Sequence, residues 1–559
     1  MNPRWIPFTL LLSWLWLISA TINPILAESG DEQPYLSGMM IKNNSQIQAP
    51  ISATITFLPA AQVMHQPTQL SLQNPTSGTI HYTTNGSLPN INSQPYSGTL
   101  SLSQTTIIRA QLFDAAGNPM SGVQTQSYIM ANYTQTIPII SLVTDWEYFN
   151  ALHNNPDKRG AEWERPLNIE YFEPGGKAGF NIAGGMRIHG GFSRLYNIKK
   201  SYRLYFRKDY SGEPGKLNYP VFTDSVVTQF DKLVLRSGFQ DSFTHRNIPE
   251  RADTNLTAKY IGDQVTRNLH RNMGQPIVHG KWVLVYLNGE FWGLYNLTEH
   301  IDQQFFESYA AQGSQWDVIV KENGWDAEGI WFNKEEARDG DYGPWLENQA
   351  WVGSTNFTQP ENIGVLKWRV DMENVYAYMF LEAYVQNYDW PEANWMVYRR
   401  SDPGAIGNEA KWRMIVWDAE YSFGGGSKGF KTDMNTLERV YGPHDSITRI
   451  LEKPFIGNCA LKHEFVNRAR EYLGVENLQN KPLDQIGQLS KANVKAEIMA
   501  QANIVRPFIQ MEANRWAPDM GVASFDLNIQ RALQFAEERQ DVILHHLDIL
   551  RYQTFTECK

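Results

Sequence analysis

The stretch Asn387-Tyr388-Asp389-Trp390-Pro391-Glu392-Ala393-Asn394-Trp395 decides how the chain is read, because an acid and an amide stand five residues apart in it. Asp-x-x-x-x-Asn is the spacing of a phosphoryl-transfer catalytic loop. The Asp orients and deprotonates the attacking hydroxyl, and the Asn holds a metal ion on the nucleotide phosphates. Asp389 is thereby the candidate base and Asn394 a candidate metal ligand. The same spacing arises by chance in many chains of this length, so its meaning depends on what surrounds it.

Downstream, Lys411-Trp412-Arg413-Met414-Ile415-Val416-Trp417-Asp418-Ala419-Glu420-Tyr421-Ser422-Phe423-Gly424 reads as an apolar strand ending in Asp418, with further glycines making a mobile turn beyond it. An acid at the end of a buried strand is rigidly placed yet open to phosphate, as a divalent-cation ligand must be. Alone, Asp418 reads equally well as a turn residue; beside Asp389 and Asn394 it reads as a metal ligand. Upstream, Arg187-Ile188-His189-Gly190-Gly191-Phe192-Ser193-Arg194 precedes Lys199-Lys200 and a strand over residues 201–206. Glycines let a backbone approach phosphate closely, and a lysine entering a strand supplies a point charge. The pattern is neither a Walker loop nor Gly-x-Gly-x-x-Gly, and by itself it reads as a hairpin turn beside two solvated lysines. Between these segments, Asn288-Gly289 joins two apolar, aromatic runs and signals a hairpin. Glu299, at the far end of the second run, is either a partner for a lysine or a helix N-terminal charge favoured by the dipole.

The wider chain divides by pattern. Residues 51–131 are rich in Thr, Ser and Gln, with short alternating runs at 79–83 and 106–113 separated by Asn74-Pro75, Asn85-Gly86 and Pro95. Short strands spaced by turns predict a small β-sandwich. From about residue 136 the chain continues without a linker-like break. Strand-like runs at 138–143, 201–206, 232–236 and 282–287 give way to helical periodicity at 261–273, 372–387 and 529–552. Strands early and helices late predict an α+β domain with a cleft between two lobes.

Residues 1–27 carry one arginine, an apolar run shorter than the roughly 20 residues a spanning helix needs, and a small residue before an acidic stretch. They read as a secretory signal peptide, followed by a polar linker over 28–50, and leave no membrane span after cleavage. Cys459 and Cys558, the two cysteines, are either one bridge or two buried thiols; closing that loop is worth roughly 4 to 5 kcal/mol in the chain-entropy picture. A formal charge of −10 without a basic cluster argues against a nucleic-acid partner.

Ile80-His81-Tyr82-Thr83-Thr84-Asn85-Gly86-Ser87-Leu88-Pro89, with Tyr96-Ser97-Gly98 and residues 105–110, resembles the Ig-like module at the C-terminal end of chitobiases and hexosaminidases, with Asn85 where Asp is usual. Such modules are often accessory, which implies packing or a spacer role, or a weak glycan contact through the β-sandwich. Residues from about 138 to at least 424 resemble the CotH (spore coat protein H) kinase family, secreted proteins with an atypical protein-kinase fold. Four ordered segments carry the likeness: 187–194 with 199–204, 286–302, 387–395 and 417–424.

The resemblance implies a kinase-like domain over 136–559, helical in its C-terminal part, using ATP with Mg²⁺ or Mn²⁺, and Ca²⁺ as a further candidate. It implies Asp389 as base and Asn394, Asp418 and Glu420 on the metal. Gly190, Gly191, Ser193, Arg194 and Lys199 or Lys200 would meet the nucleotide, with Lys200 preferred for phosphate and Glu299 as its partner. Two departures stand out: Glu420 where a second Asp is usual, and Gly191 where Asn or Ala is common. The expected activity is γ-phosphoryl transfer to Ser or Thr of a protein outside the cytoplasm, secreted or at the periplasm or surface. The alternative is an inactive kinase-like scaffold or glycan-contacting protein. A glycoside hydrolase is weaker, since no paired-carboxylate motif is evident.

Overall fold

The computed structural model describes residues 54–553 apart from 75, 245–253, 326–330, 425–430, 444, 478–479, 481 and 483–485. The expected signal peptide, the linker and the glycine turn after Gly424 lie outside the described residues.

Two sheets face each other at the N-terminal end. Thr56–Leu58, Thr68–Gln73 and Leu100–Leu102 form one; Gln62–Met64, Gln124–Met130, Thr106–Phe113, Thr79–Thr83 and Gln94–Pro95 form the other. Alternation sets their faces, as Leu70 and Leu72 are buried between polar neighbours. Thr106–Phe113 breaks the pattern by being buried on both faces. Ile108, Ala110 and Leu112 point into the sandwich core, while Ile107 joins the core of the larger domain.

The next strands close into a seven-stranded barrel in the order Arg165–Phe172, Ala178–His189, Ser201–Tyr205, Lys232–Arg236, Glu290–Thr298, Gly280–Leu287 and Ile139–Val143. Every pairing is antiparallel except the closing one, Gly280–Leu287 against Ile139–Val143. The turn at Asn288-Gly289 has φ of 48° and 87°, the left-handed pair that a two-residue hairpin demands. Ile107 packs close to Gly289, so the sandwich rests on this hairpin.

Beyond the barrel, Trp331–Asp339, Trp316–Trp325, Trp395–Arg400 and Arg413–Ile415 pair in that order into a four-stranded sheet. Helices fill the rest. Met372–Val385 has 13 buried residues among its 14, apolar all round, which makes it the central helix of this part. Gly262–Asn272, Cys459–Tyr472 and Val522–Tyr552 belong to the same core. The molecule is thus mixed α/β, all-β at its N-terminal end and helical with a smaller sheet at its C-terminal end. One apolar cluster runs from Val63 in the sandwich to Leu550 in the last helix. Cys459 is disulfide-bonded, and Cys558, the only other cysteine, lies outside the described residues.

Candidate functional site

The Asp389 loop is a helix ending that has been held open. Met372–Val385 stops at Gln386, which turns left-handed with φ 56°. Asn387 then reaches back, its Nδ2 donating to Glu382 Oε2 at 2.9 Å. Arg439 donates to Asn387 O at 3.0 Å, Tyr388 O at 3.2 Å and Glu392 Oε2 at 2.5 Å, so one guanidinium braces the outside of the loop. Trp390 and Trp395 are buried on the inside. Ala393 N donates to Asp389 O at 2.9 Å, and Asn394 N to Lys321 O at 2.9 Å. Asn394 is left-handed, φ 58°, which brings its Nδ2 to 3.5 Å from Asp389 Oδ2. Asp389 and Asn394, half-buried among buried neighbours, are brought face to face.

The second loop differs from its sequence expectation in one respect. The strand ends at Ile415, not at Asp418, because its partner Trp395–Arg400 begins at Trp395 and leaves no ladder beyond the Met396 to Ile415 pair. Asp418 sits on a bend with φ 55°, and Phe423 follows at φ 54°, an uncommon conformation for a bulky residue. The two loops lie side by side: Tyr388 N donates to Tyr421 O at 3.0 Å, Phe423 N to Val385 O at 2.8 Å, and the rings of Tyr388 and Tyr421 are 4.9 Å apart.

Arg236, Asp241 and Asp263, none of them singled out by sequence, complete this centre. Arg236 ends a barrel strand and its Nη2 donates to Asp418 Oδ1 at 2.5 Å and to Glu420 Oε1 at 2.7 Å, with its Nε 3.7 Å from Asp263 Oδ2. Asp263, in the first turn of Gly262–Asn272, accepts from Arg267 Nε at 3.0 Å and from Ala419 N at 3.1 Å. Asp241 accepts from Lys259 N and Gly262 N, both at 2.8 Å, and fixes the start of that helix. A side chain at Gly262 would meet Glu420 O and Asp241 Oδ2 at 3.0 Å, so glycine lets the helix touch the loop. Burial pushes the Glu420 carboxyl up to about 8, against the pull of Arg236. Burial alone would lower Arg236, but Asp263, Glu420 and Asp418 together hold it well above its ordinary range. Two guanidiniums, Arg236 and Arg338, stand over Trp417, each 5.4 Å from its ring. The charge at the end of the strand Lys232–Arg236, read as Asp418 was read, is the signal that would have found Arg236.

Among the described residues no three His, Cys, Asp or Glu side chains form a group able to hold a metal. Asp418 and Glu420 do converge within 2.5 and 2.7 Å of a single nitrogen, which fits a divalent cation in charge and donor type. The Asn394 amide nitrogen faces Asp389.

The residues expected at the nucleotide are used differently. Gly190 is left-handed, φ 107°, and Gly191 comes close to Asn323 O on the neighbouring sheet. Ser193 opens a four-residue helix, and Arg194 donates to Gly190 O at 2.7 Å, Ile188 O at 2.5 Å and Lys158 O at 2.8 Å, bracing the glycine turn. Lys200 Nζ donates to Arg194 O at 2.7 Å, and burial takes it down to about 8. Lys199 is fully buried, bonded to Glu512 Oε1 at 2.6 Å and Leu294 O at 2.5 Å; neither lysine is solvated. The expected pairing of a lysine with Glu299 is corrected. Glu299 accepts from His279 N at 2.8 Å and Tyr309 OH at 2.6 Å, because the strand Glu290–Thr298 carries it away from the lysine pair. A surface hollow of about 680 Å³ lined by Glu438, Tyr441, Ile549 and Tyr552 includes none of these residues in its lining.

No curated protein is similar to the chain at a significant level. The sequence profile of the chitobiase/beta-hexosaminidase C-terminal domain matches residues 59–125, within the sandwich. That of CotH kinase protein matches residues 186–543, which takes in both loops, Arg236, the central helix and most of the last helix. The match spans more than half of the chain, and the protein belongs to the CotH kinase family.

Proposed function

We propose that the chain is a phosphotransferase that moves the γ-phosphoryl group of ATP to a Ser or Thr hydroxyl of an exported or surface protein, from a two-lobed, kinase-like arrangement of barrel and helical part. The observation that carries this reading is the joining of the Asp389 loop to the Asp418 loop through Tyr388 and Tyr421. That backbone bond ties the loop of the candidate base to the loop of the candidate metal-binding acids. Asp389 accepts the proton of the acceptor hydroxyl, and the Asn394 amide at its side orients that carboxylate. Asp418 and Glu420 would hold the cation, with Asn394 as a third oxygen donor; Mg²⁺ or Mn²⁺, or Ca²⁺, supplies neutralisation of phosphate charge when bound. Arg203, Arg236, Arg194 and Arg338 gather near His189 and are the guanidiniums within reach of this part of the site for a polyphosphate to meet. The remaining catalysis is positioning, which two loops pinned by buried tryptophans and by Arg439 are built to give.

One observation favours a second reading, an inactive kinase-like scaffold. Lys200, the preferred phosphate lysine, donates to Arg194 O, Lys199 is bonded to Glu512, and Glu299, the expected partner, accepts from His279. The sandwich is assigned a packing role in either reading. Among its described residues the exposed large apolar side chains are Leu58, Leu88 and Ile91, and Tyr96 is partly exposed. Residues 1–27 are assigned to export. Binding separates the readings: purified mature protein with Mn²⁺ and ATP is expected to melt at a higher temperature than with Mn²⁺ alone, and to label itself or a generic acceptor. A protein that binds ATP without transferring phosphate, or does neither, supports the scaffold.

A further inference from the structure

Two acids and one guanidinium at the centre of the site hold an arrangement that the phosphotransfer reading does not by itself require. Asp418 and Glu420 aim at the same nitrogen of Arg236, and Asp263 approaches the other side of that guanidinium. Asp263 is committed to Arg267 and to Ala419 N, so it cannot swing away. Three carboxylates this close would repel one another without a cation between them. A planar guanidinium satisfies several oxygens at once, which an ammonium cannot do. The loop 417–423 is therefore folded around an internal cation.

We propose that Arg236 is the resident counter-cation of the Asp418 and Glu420 pair, and that a divalent ion and Arg236 compete for the same oxygens. The inference rests on the phosphotransferase reading only for the identity of the incoming ion. Arg236 is a positioning residue: it holds the two acids in place before the ion arrives and sets how readily they accept it. The chain then binds a divalent ion weakly by itself. Tight binding needs something anionic to receive the displaced guanidinium, and the phosphates of the nucleotide meet that description. The glutamate at 420 suits this arrangement, since its longer side chain reaches the nitrogen that Asp418 also binds.

The test is titration of the intact protein with MnCl₂ in the absence of nucleotide, read by calorimetry. Arg236→Met is expected to bind Mn²⁺ roughly tenfold more tightly than the wild type, because a unit positive charge beside the ion has been removed. Adding Glu420→Gln to that variant is expected to cancel the gain. Arg236→Lys keeps the charge but reaches only one acid at a time, and is expected to show a smaller gain of about threefold. If Arg236→Met folds and binds Mn²⁺ no more tightly than the wild type, the proposal is overturned. The same holds if its gain survives Glu420→Gln, since the ion then sits elsewhere. If Arg236→Met does not unfold cooperatively, Arg236→Lys decides, a gain supporting the competition and no gain overturning it. A purely structural arginine would lower the melting temperature and leave the Mn²⁺ affinity unimproved. The readout involves neither ATP nor phosphate transfer, so a failure here is distinct from a failure of the phosphotransferase reading.

Discussion

At the scale of single residues, Lys199 and Lys200 show how neighbouring side chains of one type part company. Lys199 and Glu512 are both fully buried and joined at 2.6 Å, with Glu512 Oε2 also accepting from Leu294 N at 2.8 Å. Truncating the lysine strands a carboxylate in the core. Lys199→Met is predicted to cost about 3 to 5 kcal/mol in urea unfolding, while Lys200→Ala, which removes one bond to a backbone carbonyl, costs about 1 kcal/mol. Equal losses would contradict the assignment. None of this was legible from the lysines themselves, because Glu512 lies 313 residues further along the chain. What sequence does display at this scale is residue type at a bend. Asn394 and Asp418 stand at left-handed positions that short polar side chains tolerate, and both were recognisable as candidates before any coordinates.

At the scale of elements, the central helix and the loop it delivers are tied by a buried acid. Glu382 is fully buried, and desolvation takes its carboxyl from the ordinary 4.5 up to about 8 despite the bond from Asn387. Below pH 4.5 the folded and unfolded chains both carry this proton. Between about 4.5 and 8 the unfolded chain has released it and the native chain has not, so stability falls as pH rises, at up to about 1.4 kcal/mol per unit. Glu382→Gln removes that penalty. Its stability relative to the wild type is predicted to be greater at pH 8 than at pH 5 in urea unfolding, and an equal difference at both would contradict the account. Elements were the part of the fold most open to sequence reading. The strands Thr79–Thr83, Thr106–Phe113 and Lys232–Arg236, the hairpin at Asn288-Gly289 and the helix Met372–Val385 follow from local period and turn chemistry. The end of Arg413–Ile415 was not legible, because a strand stops where its partner stops.

At the scale of the whole molecule, the sandwich is sealed to the barrel by polar groups as well as by Ile107 and Ile129. Glu170 is buried at this seam, accepting from Ser127 Oγ, from Ser127 N at 3.2 Å and from Asn181 Nδ2 at 3.1 Å, and Tyr133 OH meets Tyr286 OH at 2.9 Å. Glu170→Ala is predicted to leave those donors unsatisfied and cost about 2 kcal/mol, with proteolysis between sandwich and barrel becoming faster. Unchanged cleavage would contradict a sealed interface. Barrel closure was invisible in sequence, since it joins Ile139–Val143 to a strand more than a hundred residues later, and no local pattern reports such a pairing. The family profile reaches to residue 543, and Val522–Tyr552, most of which it covers, packs in the same apolar core as the central helix.

The central claim is that Asp389 acts as the base of a phosphotransfer site formed where its loop meets the Asp418 loop. It is tested most directly by ATP-dependent phosphate incorporation, with Mn²⁺ or Mg²⁺, into wild-type protein and Asp389→Ala at matched folding and matched ATP binding. The account predicts labelling by the wild type and a loss of about a hundredfold or more in the variant. Equal labelling by both proteins, or none by a wild type that is folded and supplied with ion and nucleotide, would contradict it.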